Sequence, residues 1–558
     1  MSCPTMRTHN SNHATMDCKT LNTNNNSCSV SRFRQILPQV IASTVKNFLL
    51  LDLGLSIAFP TIVIPALTGL NDQVNPNEMI HMTAAQASWL GSIAYLFKLI
   101  GSIASGWICE PLGRKKAMFF VNFPHLVAWL MLYFSTSLTE VFIAHALLVG
   151  VGLMEAPIIT YVGEICEPSI RGVIMALAGI AATLGLFIVF TLGNLIEWRN
   201  VALFCFTIPV GTMMAVHLIP ETPIWLLSKG RDAEALKSLQ WLRGWVSEKA
   251  VQTEFEAIKC YNQNSNSCLK CEKAKVECTH PPPNITEKCK ELLRKRTLKP
   301  FIILICCQFI GHFSGIHHLM PYIVPILNTY ESPISPGWAT SVLGLTAVFA
   351  TITCVVIVKF VGKRRIHLFA LTIVTAVNLS LGFYGLYRLP SGTKSYEHKH
   401  FASESNSEKD AVPLVLFIIL RFFSTGIVLI PFILMSELFP FKSRCFATGI
   451  TSAVGYIIGF SSTKSFYNIE TWFSLPIALV IYGSIGAIGL IVVFNILPET
   501  EKRSLHEIEQ HFSDNNRGLT DRKIYRLKES KASHAAPDII VDNNANKAHD
   551  NEAYIPDK

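Results

Sequence analysis

Charge is what this sequence has least of. Asp, Glu, Lys and Arg make up 16% of its 558 residues, against about 25% in ordinary soluble domains. Half of the chain is hydrophobic and the mean hydropathy is +0.36. The apolar residues lack amphipathic spacing and run together, which excludes a soluble multidomain enzyme. No Gly-rich phosphate loop of the Gly-x4-Gly-Lys-Ser/Thr type is present, which argues against ATP-driven work. No catalytic constellation stands out, so the chain does not read as an enzyme, and nothing calls for a cofactor. Cys268 and Cys271 form one Cys-x-x-Cys pair, flanked by Cys260, Cys278 and Cys289. Without a second pair, and in a polar loop, these thiols read as no metal site.

What is present is a series of apolar runs, and about 18 such residues with few charges suffice to cross a bilayer. Twelve candidate spans follow: 39–66, 84–108, 117–136, 139–162, 173–196 and 201–219 in the first half, then 300–328, 338–361, 367–388, 412–435, 445–466 and 472–497. The eleventh is the weakest, because "FSSTKSFYNIE" brings polar residues into it. Residues 1–38 are rich in Asn, Ser and Thr, with no apolar core of a signal peptide, and read as a disordered tail. The expected divisions are this tail, a six-helix bundle at 39–219, a central loop with short helices at 220–299, a second bundle at 300–497 and a tail at 498–558.

Lys and Arg set the orientation. They crowd the loops 109–116, 359–366 and 440–444, and fifteen lie between Lys229 and Lys299, whereas 67–83 and 329–337 have none. Both termini are therefore expected in the cytosol. The loop at 389–411, with Lys394, Lys399 and Lys409, is a mild violation. The net charge of +9 is explained by this topology, so no nucleic-acid partner is expected. The partners are the lipid bilayer and a small solute; nothing sets an oligomeric state.

Three elements recur in the same order in each half. "GRKK" at Gly113 is matched by "GKRR" at Gly362. Glu164, seven residues before Arg171 in "GEICEPSIRG", is matched 273 residues on by Glu437 and Arg444 in "SELFPFKSRC". "PETPIW" from Pro220 is matched by "PETEKR" from Pro498. Charges that merely anchor helix ends explain their height in the membrane but not the equal spacing. Two parallel six-helix repeats do, and many transporters are built so, with substrate at the midplane between repeats.

These motifs resemble those of the major facilitator superfamily, and of its sugar porter family in particular. "GWICEPLGRK" is similar to the superfamily's Gly-x-x-x-Asp-x-x-Gly-Arg-Lys, with Glu110 in place of the aspartate. "PETPIWLLSKGR", "SELFPFKSR" and "PETEKRSLHEIE" are similar to sugar porter signatures, over about residues 40 to 512. "AFPTIVIPAL", "GLMEAPIITYVGEI" and "GHFSGIHHLMPY" look most like facilitated trehalose transporters. The resemblance implies an all-α membrane fold, with twelve transmembrane helices in two bundles, and alternating-access transport of a sugar. It further implies a cytosolic ionic latch of Glu110, Arg114, Glu164, Arg171, Glu221, Arg231, Glu437, Arg444 and Glu499, joining helix ends and the two halves. Proton-coupled symport and a non-transporting sugar sensor are the alternatives.

Ionisable groups inside spans are costly and so are candidates for function. Asp52, Glu155 and Arg421 are the three, and either acid is placed to neutralise Arg421 across the halves. A sugar needs hydrogen-bonding side chains and an aromatic face. Span seven offers Gln308, His312, Ser314, His317 and His318 around Gly311 and Gly315, glycines that invite local unwinding. Phe432 stands where hexose carriers often have Trp, and Thr183 lies on span five. A lone Phe in a span otherwise faces lipid, and a buried His is otherwise simply packed. Hexose porters have Gln where this chain has Gly179, and their span-seven Gln-Gln and Asn fall at Gly311-His312 and His317.

Overall fold

A computed structural model of the chain describes residues 31–69, 78–150, 155–265, 292–396, 410–440, 444–501, 503, 505–513, 518–522 and 524. Eighteen helices among them are α1 (Arg32–Thr68), α2 (Ala84–Leu112), α3 (Arg114–Phe134), α4 (Leu138–Val149), α5 (Glu155–Ile165), α6 (Pro168–Leu195), α7 (Trp198–Val216), α8 (Pro223–Ser228), α9 (Asp232–Leu242), α10 (Glu248–Ser265), α11 (Lys295–Ser314), α12 (Ile323–Thr329), α13 (Pro336–Val361), α14 (Lys363–Arg388), α15 (Val412–Leu438), α16 (Arg444–Trp472), α17 (Leu475–Ile496) and α18 (Leu505–Ser513). Two 3-10 turns, Ile316–His318 and Met320–Tyr322, join α11 to α12.

Ten described helices are long and apolar enough to cross a membrane. The fourth expected span is present as α4 and α5, on either side of residues 151–154. The eleventh, α16, is long enough at 29 residues but more polar. Its polar side chains are used against neighbouring helices: Ser462 Oγ donates to the carbonyl of His312 at 2.7 Å, and Tyr482 donates to the carbonyl of Ser462 at 2.9 Å. With these two the order gives twelve crossings in two sets of six. α1 begins at Arg32, within the stretch expected to be a tail. The cysteine cluster lies outside the described residues, apart from Cys260, whose side chain is not described.

Lipid tails are as apolar as leucine, so helices associate in a bilayer through close packing rather than hydrophobic exclusion. α1 and α6 show this most clearly. A Cβ added to Gly54 would lie 2.0 Å from the carbonyl oxygen of Ala182, and one on Gly185 would lie 2.3 Å from that of Leu51. The two backbones touch. Around this pair the first half buries Phe59, Trp129 and Trp198, with Phe59 edge-on to Trp129 at 5.1 Å. The second half is centred on Tyr322, Phe417, Phe466 and Tyr482. The short helices α8 to α10 pack on the first half, and α18 packs on α11 and α15 of the second.

The halves meet along α2 with α16 and α6 with α13. At the end of the bundle away from the Gly-Arg-Lys and Gly-Lys-Arg loops, Asn194 Nδ2 donates to the Gly337 carbonyl at 2.9 Å and to Ser341 Oγ at 2.8 Å. Thr61 donates to the carbonyl of Met320 at 3.2 Å. Lys464 Nζ lies 3.2 Å from Ser88 Oγ and 4.2 Å above the Trp89 ring. Tyr322 donates to Ser88 Oγ at 3.2 Å from the other side.

Candidate functional site

Span seven is broken where its glycines predict it. α11 stops at Ser314, Gly315 is extended at φ −77° and ψ 166°, and regular α-helix resumes only at Ile323, beyond Pro321. Such a break inside a membrane strands backbone groups, each of which needs a partner. Neighbouring spans supply them. Asn378 Nδ2 of α14 donates to the Ser314 carbonyl at 2.6 Å, and the Ile316 N–H donates to Ser424 Oγ of α15 at 3.1 Å.

The residues expected to bind sugar part company at this break. His317 is half-buried, and its Nε2 has no hydrogen-bond partner. Gln308 is 4% exposed with its Nε2 equally unpartnered, beside Gly455 of α16. His312 faces the other half, with its ring edge-on to Tyr95 of α2 at 5.9 Å. His318 is 1% exposed and stacks on Tyr482 at 4.1 Å, its Nδ1 3.1 Å from the His312 carbonyl. It therefore sits in the core of the second half. Ser314 donates to the Ile310 carbonyl of its own helix at 2.6 Å, and Thr183 to those of Gly179 and Ile180 at 3.1 Å. Both hydroxyls serve their own helices. Phe432 is 42% exposed.

The three intramembrane charges are not joined as expected. Asp52 does not neutralise Arg421: its Oδ2 is held by His125 Nδ1 in a close, fully buried pair, and Trp129 Nε1 donates to its Oδ1 at 3.2 Å. The reason is local. Asp52 faces α3 inside the first half, away from the second. His125 was not anticipated, although an acid in an apolar span demands a partner and His125 is in the facing span. Arg421 is 2% exposed, and its Nε and Nη1 have no hydrogen-bond partner. The side chain of Glu155 lies outside the described residues.

At the loop end, the three repeated elements converge on one device per half. Gly113, at φ +87°, starts α3, and the Glu221 carboxylate of "PETPIW" accepts the N–H groups of Arg114 at 3.1 Å, Lys115 at 3.0 Å and Thr222 at 2.9 Å. Gly362, at φ +97°, starts α14, and Glu499 of "PETEKR" accepts those of Lys363 at 3.2 Å, Arg364 at 3.1 Å and Glu501 at 3.0 Å. A carboxylate here satisfies orphan donors and meets the positive end of the helix dipole. A side chain on either glycine would collide with it, 2.4 Å from Glu221 Oε2 or 2.6 Å from Glu499 Oε2. Burial pushes the Glu221 carboxyl up from the usual carboxylate range, while the three backbone donors pull it down.

The recurring glutamates find partners other than the arginines seven residues on. Arg114 binds Glu164 at 2.6 Å, and Lys363 binds Glu437 at 3.0 Å and Glu501 at 2.5 Å. These pairs join helix ends within one half. Arg231 pairs with Glu234 of α9 at 2.5 Å, and Glu110 is exposed, its carbonyl accepting Trp225 Nε1 at 3.0 Å. The side chains of Arg171 and Arg444 lie outside the described residues.

A family model described as "Sugar (and other) transporter" matches residues 43–512. The facilitated trehalose transporters Tret1 of Apis mellifera ligustica and Culex quinquefasciatus are each 28% identical to this chain, covering 85% of it and 88% and 85% of their own lengths. Among solved structures, the proton:xylose symporter XylE bound to 6-bromo-6-deoxy-D-glucose is similar with a TM-score of 0.61, at 18% identity over 85% of this chain and 99% of that one. A partially occluded inward open XylE from E. coli gives 0.62 at 16% identity, over 84% and 100%. At such identities the likeness is one of fold, the major facilitator fold. By the extent of the family match, this chain belongs to the sugar (and other) transporter family.

Proposed function

We propose that the chain is a facilitative, alternating-access carrier of a sugar of the trehalose or hexose class, a multi-pass protein of the plasma membrane with both termini cytosolic. The observation that carries this reading is the broken span seven, held between two halves that touch at the end away from the basic loops. With those loops cytosolic, that contact lies at the outer end of the bundle. The substrate class rests on the curated relatives, which are named as facilitated trehalose transporters. The pairs around Arg114 and Lys363 stiffen each half, so that the halves rock as bodies. Facilitation is favoured over proton coupling because both oxygens of Asp52 are engaged in a sealed pair.

Uptake of labelled trehalose, glucose and a polyol into vesicles holding the purified protein, each with and without a pH gradient, tests the reading. Saturable sugar uptake that ignores the gradient and an uncoupler is expected. Uptake that collapses with the gradient would replace facilitation with proton symport, and no flux at all would favour a sensor. His317→Ala should lower uptake while the amount of protein in the membrane stays the same.

A further inference from the structure

A guanidinium keeps its charge at any physiological pH and offers five donors. Enclosing it without an acceptor is among the costlier things a membrane protein can do. Arg421 is in that position, with Nε and Nη1 both buried and unpartnered. Three carboxylates of the second half are engaged elsewhere. Asp410 accepts from Tyr384 at 2.6 Å, Glu437 holds Lys363, and Glu470 accepts the Ser395 N–H at 2.7 Å. Asp52 is closed off by His125 and Trp129.

What Arg421 faces follows from the neighbouring turns of α15. Ser424 lies one turn from Arg421 on the same buried face and accepts the Ile316 N–H. One turn the other way, Phe417 meets Tyr330 at 6.0 Å. Arg421 is therefore set against the chain that runs from the break toward α12, where His317 carries its own unpartnered Nε2. Ser424, one turn from Arg421, holds the N–H of Ile316, the residue next to His317, so the two side chains start from adjoining points of α15 and the break. An arginine and an imidazole that lack acceptors, at the break in a carrier's central helix, form a cradle for negative charge.

We propose that Arg421 and His317 bind a compact monoanion, either a carboxylate carried by the transported sugar or a free anion such as chloride that occupies the site when a neutral sugar binds. Charge-assisted hydrogen bonds from the guanidinium and an N–H of the imidazole would hold it. The inference deepens the carrier reading and rests on the same break in span seven.

The full-length protein, purified in detergent, tests it in two arms. In the first, thermal unfolding is followed with D-glucuronate and with glucose, which are nearly equal in size but differ in charge. In the second, binding of a labelled neutral sugar is measured in chloride and in a buffer whose anion is a bulky sulfonate. A carboxylate-reading site gives a stabilising shift with glucuronate that glucose does not match. A free-anion site gives sugar binding weaker by about tenfold or more without chloride. Either response should vanish in Arg421→Gln and persist in weakened form in Arg421→Lys, which retains the charge and guards against a folding defect. No response to glucuronate or chloride in the wild type, or an undiminished response in a folded Arg421→Gln protein, overturns the proposal. Flux of labelled glucose and of labelled glucuronate in vesicles is scored separately. Flux of either without an anion response removes this site alone, and an anion response with flux of neither removes the carrier reading alone.

Discussion

The two halves are nearly interchangeable at their basic end and unlike in their interiors. Glu221 and Glu499 cap the helices that follow Gly113 and Gly362, and Arg114 and Lys363 each hold the recurring glutamate of their own half. In mid-membrane the first half contains an acid whose charge is answered by His125 and Trp129, while the second contains Arg421, whose Nε and Nη1 are unanswered. The difference separates machinery from selectivity. The junction is built the same way twice, whereas the two interiors answer their charges differently.

The sharpest way to break this contrast is to remove each interior charge. Asp52→Ala deprives the His125 ring and the Trp129 N–H of their shared acceptor, and should cost about 3–5 kcal/mol in thermal unfolding of the detergent-purified protein. Arg421→Met deletes an unanswered charge and fills its space, so the unfolding temperature should stay level or rise. Equal losses in the two variants would erase the distinction between the interiors.

A smaller effect tests the likeness at the junctions. Gly113→Ala and Gly362→Ala place a Cβ in backbone conformations that only glycine adopts readily, and against a capping carboxylate. Each should lose about 1–3 kcal/mol of stability, to a similar extent. A large loss in one half alone would mean that only that half depends on its cap. Smaller still, Glu221→Gln and Glu499→Gln keep an acceptor oxygen but remove the charge at the helix dipole. About 0.5–1 kcal/mol each is expected from the same unfolding measurement.

The fold was largely legible because the apolar runs are governed by bilayer thickness, and α13 and α15 start and stop within a few residues of their runs. α16 was legible only weakly. Ser462 and Lys464 are polar because they meet neighbouring helices, and hydropathy does not distinguish that from facing water. The break after Ser314 was signalled by Gly311 and Gly315. Which of the polar side chains would be left without partners was not, since Ser314 and His318 look as suitable as His317 until Ile310 and Tyr482 are seen beside them. The repeat revealed which charges recur but not which ones meet. Glu164 reaches across to Arg114 on another helix, 50 residues earlier in the chain. His125 was missed because a single histidine in an apolar span is usually a packing residue, although Asp52 needed an answer from some facing helix.

The contact between Gly54 and Gly185 has a mechanical consequence. With no side chain between their backbones, α1 and α6 act as one girder, and neither can slide or twist on the other without atoms colliding. Displacement during a transport cycle must therefore be taken up elsewhere. The interrupted seventh span, whose 3-10 turn at Met320–Tyr322 lies beside α1, breaks the regular helix next to that stiff pair.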